Sequence, residues 1–204
     1  IGVVGPLDVL SKACMIRNNL RNDGSRQPFF RLQLVGVNSR PVVCPNGITL
    51  NPHTTIARCS RPDVVLVPSV DEDLGVSLPA NRAFIPWLRQ CFERGSTLAS
   101  LCTGSFMLAE AGVLRGKSAT THWFFADEFC RRYHDIHLLR DRVIVDEGRV
   151  ITSGAATSFL NLALYLVEKY CGHEVAVMSS KLMLIDLGKQ SQLPYTIFIG
   201  ANSH

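Results

Sequence analysis

The stretch Ser96–Trp123, STLASLCTGSFMLAEAGVLRGKSATTHW, decides how the chain folds. Its first six residues are an apolar run too short for a helix, of the kind found in the doubly buried strands of a parallel sheet. Cys102, Thr103 and Gly104 punctuate the run, and GSFMLAEAGVLRG (104–116) continues with helical spacing. A strand that turns sharply into a helix leaves the turn residue at the sheet's C-terminal edge, against free N–H groups and a dipole that favour an anion. A cysteine placed there gains thiolate stabilisation and reactivity, and Gly104 eases the turn as in a nucleophile elbow. Open α/β sheets bind ligands at that edge, so Cys102 is a candidate pocket residue or nucleophile. His122 closes the stretch and can return to the same edge.

Working outward, DVVLVP (63–68) reads as a second buried strand. FRLQLVGV (30–37) and RVIVDEGRVITSG (142–154) read as further strands, the latter a hairpin turning at Glu147-Gly148. Helical spacing is expected over 5–21, 81–95, 104–116, 122–133 and 155–172. Strands alternating with helices predict an α/β fold with a mainly parallel sheet. One domain is expected over residues 1–188, because GKQSQLPYTIFIGANSH is polar and marked by Gly and Pro. Residues 189–204 are therefore expected to leave the domain.

Composition narrows the class. The 204 residues are 47% hydrophobic and 19% charged, enough for one sizeable core. The net charge of +4 comes from scattered Lys and Arg and is weak evidence for a polyanionic partner. Seven cysteines (14, 44, 59, 91, 102, 130 and 171) show no CxxC and no zinc-like Cys/His spacing, so neither a metal nor a cofactor is expected. The absence of an apolar run near the ~18 residues of a membrane span points to a cytoplasmic protein with reduced thiols.

ASLCTGSFMLAEAGVLRGKSATTHW resembles the cysteine-elbow segment of the DJ-1/PfpI superfamily, most like the subgroup forming the amino-terminal domain of AraC-type transcriptional regulators. GPLDVLSKA (5–13), PDVVLVP (62–68), DRVIVDEGRVITSGAATSFLNLALYLVE (141–168) and KQSQLPY (189–195) carry the same resemblance, in the family's order. The resemblance implies a flavodoxin-like three-layer sandwich, a homodimer, and a ligand pocket at Cys102, Thr103, Gly104, His122, Trp123, Ser69 and Val70. In enzymatic relatives the elbow cysteine is the nucleophile, a histidine corresponding to His122 lies near it, and an acidic side chain before the first helix meets the thiol. In regulators the pocket senses a small metabolite, and a helix-turn-helix domain, here expected beyond His204, binds DNA.

Two departures weigh on the choice. The acidic position is Gly2 here, in IGVVGPL, and Asp8 matches a different, structural or capping position. The loop that in relatives reads PGG reads PSVDED (68–73), so Ser69 and Val70 stand where glycine amides would cradle an oxyanion. Asp71, Glu72 and Asp73 add negative charge that raises a thiol's pKa and would suit a cationic or amine-bearing effector. These features favour a sensor with no catalytic residue over a stand-alone cysteine enzyme, isocyanide hydratase-like or amidase-like, and over a DJ-1-like redox protein. Cys102 is still expected to alkylate faster than Cys91, Cys130 and Cys171, because of its place at the elbow.

Overall fold

The computed structural model describes residues 2–21, 28–44 and 46–196. Seven helices occur among them: α1 (Val4–Arg21), α2 (Leu74–Ala80), α3 (Phe84–Glu93), α4 (Gly104–Glu110), α5 (Ala126–Arg132), α6 (Ser158–Cys171) and α7 (His173–Met183). The strands are β1 (Val35–Gly36), β2 (Val42–Val43), β3 (Thr49–Leu50), β4 (Thr54–Thr55), β5 (Val64–Val67), β6 (Thr97–Leu101), β7 (Ser118–Ala119), β8 (His137–Leu138), β9 (Ile144–Asp146) and β10 (Val150–Ser153).

The central sheet runs β5-β6-β10-β9, with β5, β6 and β10 parallel and β9 antiparallel at one edge. Its pleat sorts the apolar residues by period two. Val65, Val67, Leu98 and Val150 face a core shared with α2, α3, α4 and Phe129 of α5. Ala99, Leu101 and Ile151 face the opposite core, built with α1, α6 and α7. Both faces are covered, which is the three-layer α/β sandwich expected, and it explains why STLASL carries no charged residue. The β9–β10 hairpin turns where expected, with Gly148 at φ 80°.

Four expectations change, the first being that the helix expected over 104–116 ends at Glu110 and gives way to turns over 111–116. Residues 30–37 form only the two-residue β1, which pairs with β4, because Phe30 and Leu32 insert singly against the α1–α6 core. The helix expected over 81–95 begins at Phe84. The separate α2 precedes it, capped by Asp73, whose side chain accepts from the Val76 N–H at 3.2 Å. The stretch 122–133 opens as a 3₁₀ turn at Trp123–Phe125 before α5.

The expected departure after residue 188 is also corrected. Ser191 bridges Arg142 antiparallel, the Val143 N–H donates to the Gln190 carbonyl (3.0 Å), and the Gln192 side chain is 2% exposed. The chain therefore stays with the domain through at least Thr196. Polar composition misled there, because hydrogen bonds inside the fold satisfy the buried amide as water would outside. Residues 197–204 of the expected exit segment lie outside the described residues. No helix among the described residues is long and apolar enough to cross a membrane.

Candidate functional site at the strand–helix elbow

β6 ends at Leu101 and α4 begins at Gly104, so the chain reverses over Cys102 and Thr103. Cys102 takes φ 53°, a left-handed conformation that is uncommon outside glycine and marks a strained elbow. Its N–H donates to the Ser153 carbonyl at 3.0 Å, extending the β6–β10 pairing by one residue. Its carbonyl accepts from the hydroxyls of Ser105 (3.1 Å) and Thr121 (3.3 Å), and Ser105 Oγ also donates to Thr121 Oγ1 at 2.8 Å. These two buried hydroxyls hold the strained peptide, and sequence reading did not single them out. The Thr-Thr pair before His122 is the only trace of them in the sequence.

Gly104 has a different duty from the one its place suggested. The residue needing unusual backbone is Cys102, whereas Gly104 is required by close approach. A Cβ on Gly104 would lie 2.5 Å from the Pro68 carbonyl oxygen and 2.7 Å from that of Val67. The start of α4 thus lies directly on the end of β5. Thr103 ties the same two elements, its hydroxyl donating to the Val70 carbonyl at 2.7 Å. The loop carrying Ser69 and Val70 is in this way fastened to the elbow.

Burial pushes the Cys102 thiol above its ordinary range. The amide and hydroxyl of Thr103 oppose that rise, and the Glu72 carboxylate adds to it. The dipole argument for a stabilised thiolate is therefore overridden, since only 8% of Cys102 is exposed. His122 is half-buried, and burial lowers its pKa against an upward pull from Glu72. Its Nδ1 accepts from the Phe124 N–H at 3.1 Å, a bond available only to the neutral ring. Trp123 is half-buried beside it, ring centroids 5.4 Å apart. No hydrogen bond joins His122 to Cys102 among the described residues. They are linked through Thr121, which precedes His122 and bonds to the Cys102 carbonyl.

The acidic loop divides its labour. Asp73 caps α2, and the Asp71 carboxylate accepts from the Asp73 N–H at 3.4 Å. Glu72 is the member of the loop whose charge reaches both Cys102 and His122. Gly2 borders the same edge, where a Cβ would lie 3.4 Å from Ser69 Oγ and 3.9 Å from Leu101 Cδ1. A carboxylate at that position would look onto the elbow, and glycine provides none. Asp8 is exposed on α1 and caps nothing. The surface concavities lined by Ser60, Arg61 and Arg94, and by Arg89, Arg115 and Lys117, lie at the opposite, N-terminal end of the strands.

The sandwich that carries this elbow has counterparts among known proteins. The DJ-1/PfpI family model matches residues 2–169. The chain belongs to the DJ-1/PfpI family. It is 31% identical to the HTH-type transcriptional regulator CdhR of Pseudomonas aeruginosa over 75% of this chain and 44% of that protein. It is also 31% identical to the isonitrile hydratase of Pseudomonas putida, over 86% of this chain and 69% of that enzyme. The crystal structure of an AraC family transcriptional regulator from Pseudomonas putida superposes with a TM-score of 0.70 at 18% identity, covering 88% of this chain and 92% of that one. DJ-1/PfpI relatives of this chain thus include both regulators and an enzyme, and the chain spans less than half of CdhR.

Glu72 gives a direct electrostatic test. Glu72→Gln removes a negative charge, so the Cys102 thiol and the His122 imidazolium should both lose protons more readily. Alkylation of Cys102 at neutral pH should rise roughly two- to threefold, the gain in thiolate exceeding the loss of nucleophilicity. Mass-spectrometric alkylation rates across pH check this. A profile superimposable on the wild type would show that Glu72 does not act on the sulfur.

Proposed function

We propose that this chain is the effector-sensing and dimerisation domain of an AraC-type transcriptional regulator, with DNA bound by a helix-turn-helix domain outside it. The observation that carries the reading is an elbow kept without its catalytic supports. Cys102 holds its strained pose, yet its thiol is pushed up, Gly2 supplies no carboxylate, and the side chains of Ser69 and Val70 stand where two glycines would leave the loop's amides open. Losing one oxyanion donor costs about 10²–10³ in rate, so turnover would suffer more than binding. The likeness to CdhR supports the same choice. The pocket proposed is formed by Cys102, Thr103, His122, Trp123, Ser69 and Val70 around Gly104, with Glu72 at its edge favouring an effector that carries a cationic or amine group. The sensing unit includes the docked segment to Thr196, and it is expected to sediment as a homodimer.

A metabolite screen by thermal shift tests this. An effector at a hundred times its Kd should add about 2.7 kcal/mol, a rise of roughly 5–10 °C in Tm. Hydratase and amidase assays on the wild type and Cys102→Ala should show no turnover that depends on the sulfur. The second reading, a cysteine enzyme, is favoured by the identity to isonitrile hydratase. Robust activity abolished by Cys102→Ala would establish it in place of the sensor.

A further inference from the structure

The docked segment after α7 is attached in an unusual way. Leu193 and Tyr195 are more than half exposed, Pro194 is exposed, and Lys189 Nζ lies 4.2 Å over the Tyr195 ring of its own segment. From Lys189 to Thr196 the one buried residue is Gln192, a polar side chain. Its Nε2 donates to the carbonyls of Arg140 (2.9 Å), Thr121 (3.0 Å) and Arg142 (3.3 Å), and to Thr120 Oγ1 (3.3 Å). Its Oε1 accepts from the Ala155 N–H at 3.4 Å, and its backbone N–H donates to the Asp141 carbonyl at 2.7 Å. Gly154 makes the room, since a Cβ there would lie 2.7 Å from Oε1. No apolar anchor accompanies this amide, so docking rests on a donor that oxygen acceptors surround.

Those acceptors include the wall of the pocket. Thr121 receives the amide on its carbonyl while its hydroxyl bonds to the carbonyl of Cys102, and its peptide continues into His122. A single residue therefore separates the Gln192 amide from the strained elbow. We infer that Gln192 is a positioning residue of the pocket, coupling the elbow to the segment 190–196 so that disturbing either one loosens the other. This rests on and deepens the sensor reading, because the segment is the last described part of the chain and leads toward the domain proposed to bind DNA. The coupling is reciprocal, as any coupling between two sites must be.

The test uses two isosteric changes and the native sequence. Gln192→Met keeps the volume and removes the donors, and Gln192→Glu places an acceptor-only carboxylate among the same oxygens. Trypsin cleavage after Lys189 reports undocking, because the Gln190 carbonyl and the Gln192 backbone N–H must first leave their partners. Iodoacetamide, whose iodide the thiolate displaces to form an S–C bond, reports access to Cys102. Both variants should be cleaved after Lys189 about fivefold faster or more, and should alkylate Cys102 about threefold faster with fully buried Cys91 unchanged as internal control. In the reverse direction, wild type already alkylated at Cys102 should also be cut faster after Lys189, while Cys102→Ala given the same treatment should not.

Faster cleavage with an unchanged Cys102 rate would overturn the coupling, and so would equal acceleration of Cys91 and Cys102. If neither variant folds, the native arm decides: unchanged cleavage after Cys102 alkylation overturns it. No effector or DNA enters the experiment, so its failure is distinct from failure of the sensor reading.

Discussion

Gly104→Ala is expected to lower stability by about 2–3 kcal/mol, a fall in Tm of roughly 5–10 °C. The added methyl meets backbone, not the yielding end of a side chain: the carbonyl oxygens of Pro68 and Val67 would lie 2.5 and 2.7 Å away. Val67 belongs to β5 and is paired in the sheet with Ser100, so the oxygen cannot step aside cheaply. The N-terminus of α4 must lift instead. That movement stretches the Thr103–Val70 bond of 2.7 Å and lets water in beside Cys102. Differential scanning calorimetry measures the fall. A Tm within about 1 °C of the wild type would show that α4 rests less tightly on β5 than these distances state.

Phe106→Ala should cost more, about 3–5 kcal/mol. Phe106 is fully buried behind the elbow, edge-on to Phe129 at 5.0 Å and to Tyr133 at 5.9 Å between ring centroids. Tyr133 is itself held by a 2.6 Å hydrogen bond to Glu110 at the end of α4, so the aromatic trio is pinned from both sides and collapses poorly around a void. Poor collapse puts the loss toward the upper part of the range. Phe106→Leu, which fills most of the volume, should cost about half as much. Urea denaturation of both variants checks the order, and equal costs would mean that the rings relax into the space.

Much of this architecture is legible in the residues. STLASL and VVLVP announce doubly buried strands because no charged residue interrupts them, and Gly148 marks its hairpin because only a positive φ closes it. The elbow is legible for the same reason, as an abrupt change of period. The electrostatics of Cys102 were not. A helix N-terminus can be inferred from spacing, but the burial that overrides it comes from elements distant in the chain. The docking of Gln192 was hidden for a related reason. A polar residue satisfied by distant carbonyls reads the same as one solvated by water, and the partners at 120–121 and 140–142 lie far away in sequence. α7 escaped because Gly172, at φ 93°, looks like an end of structure when it is the joint between two helices.

The left-handed backbone at residue 102 bears on which side chain suits the position. At φ 53° an L side chain costs about 1 kcal/mol or more, which glycine avoids entirely and asparagine avoids in part. The neighbouring hydroxyls and the Ser153 carbonyl grip only the peptide, so they would hold either of those residues equally well. Folding stability alone would therefore favour glycine or asparagine over cysteine here, so the backbone gives no reason for the sulfur.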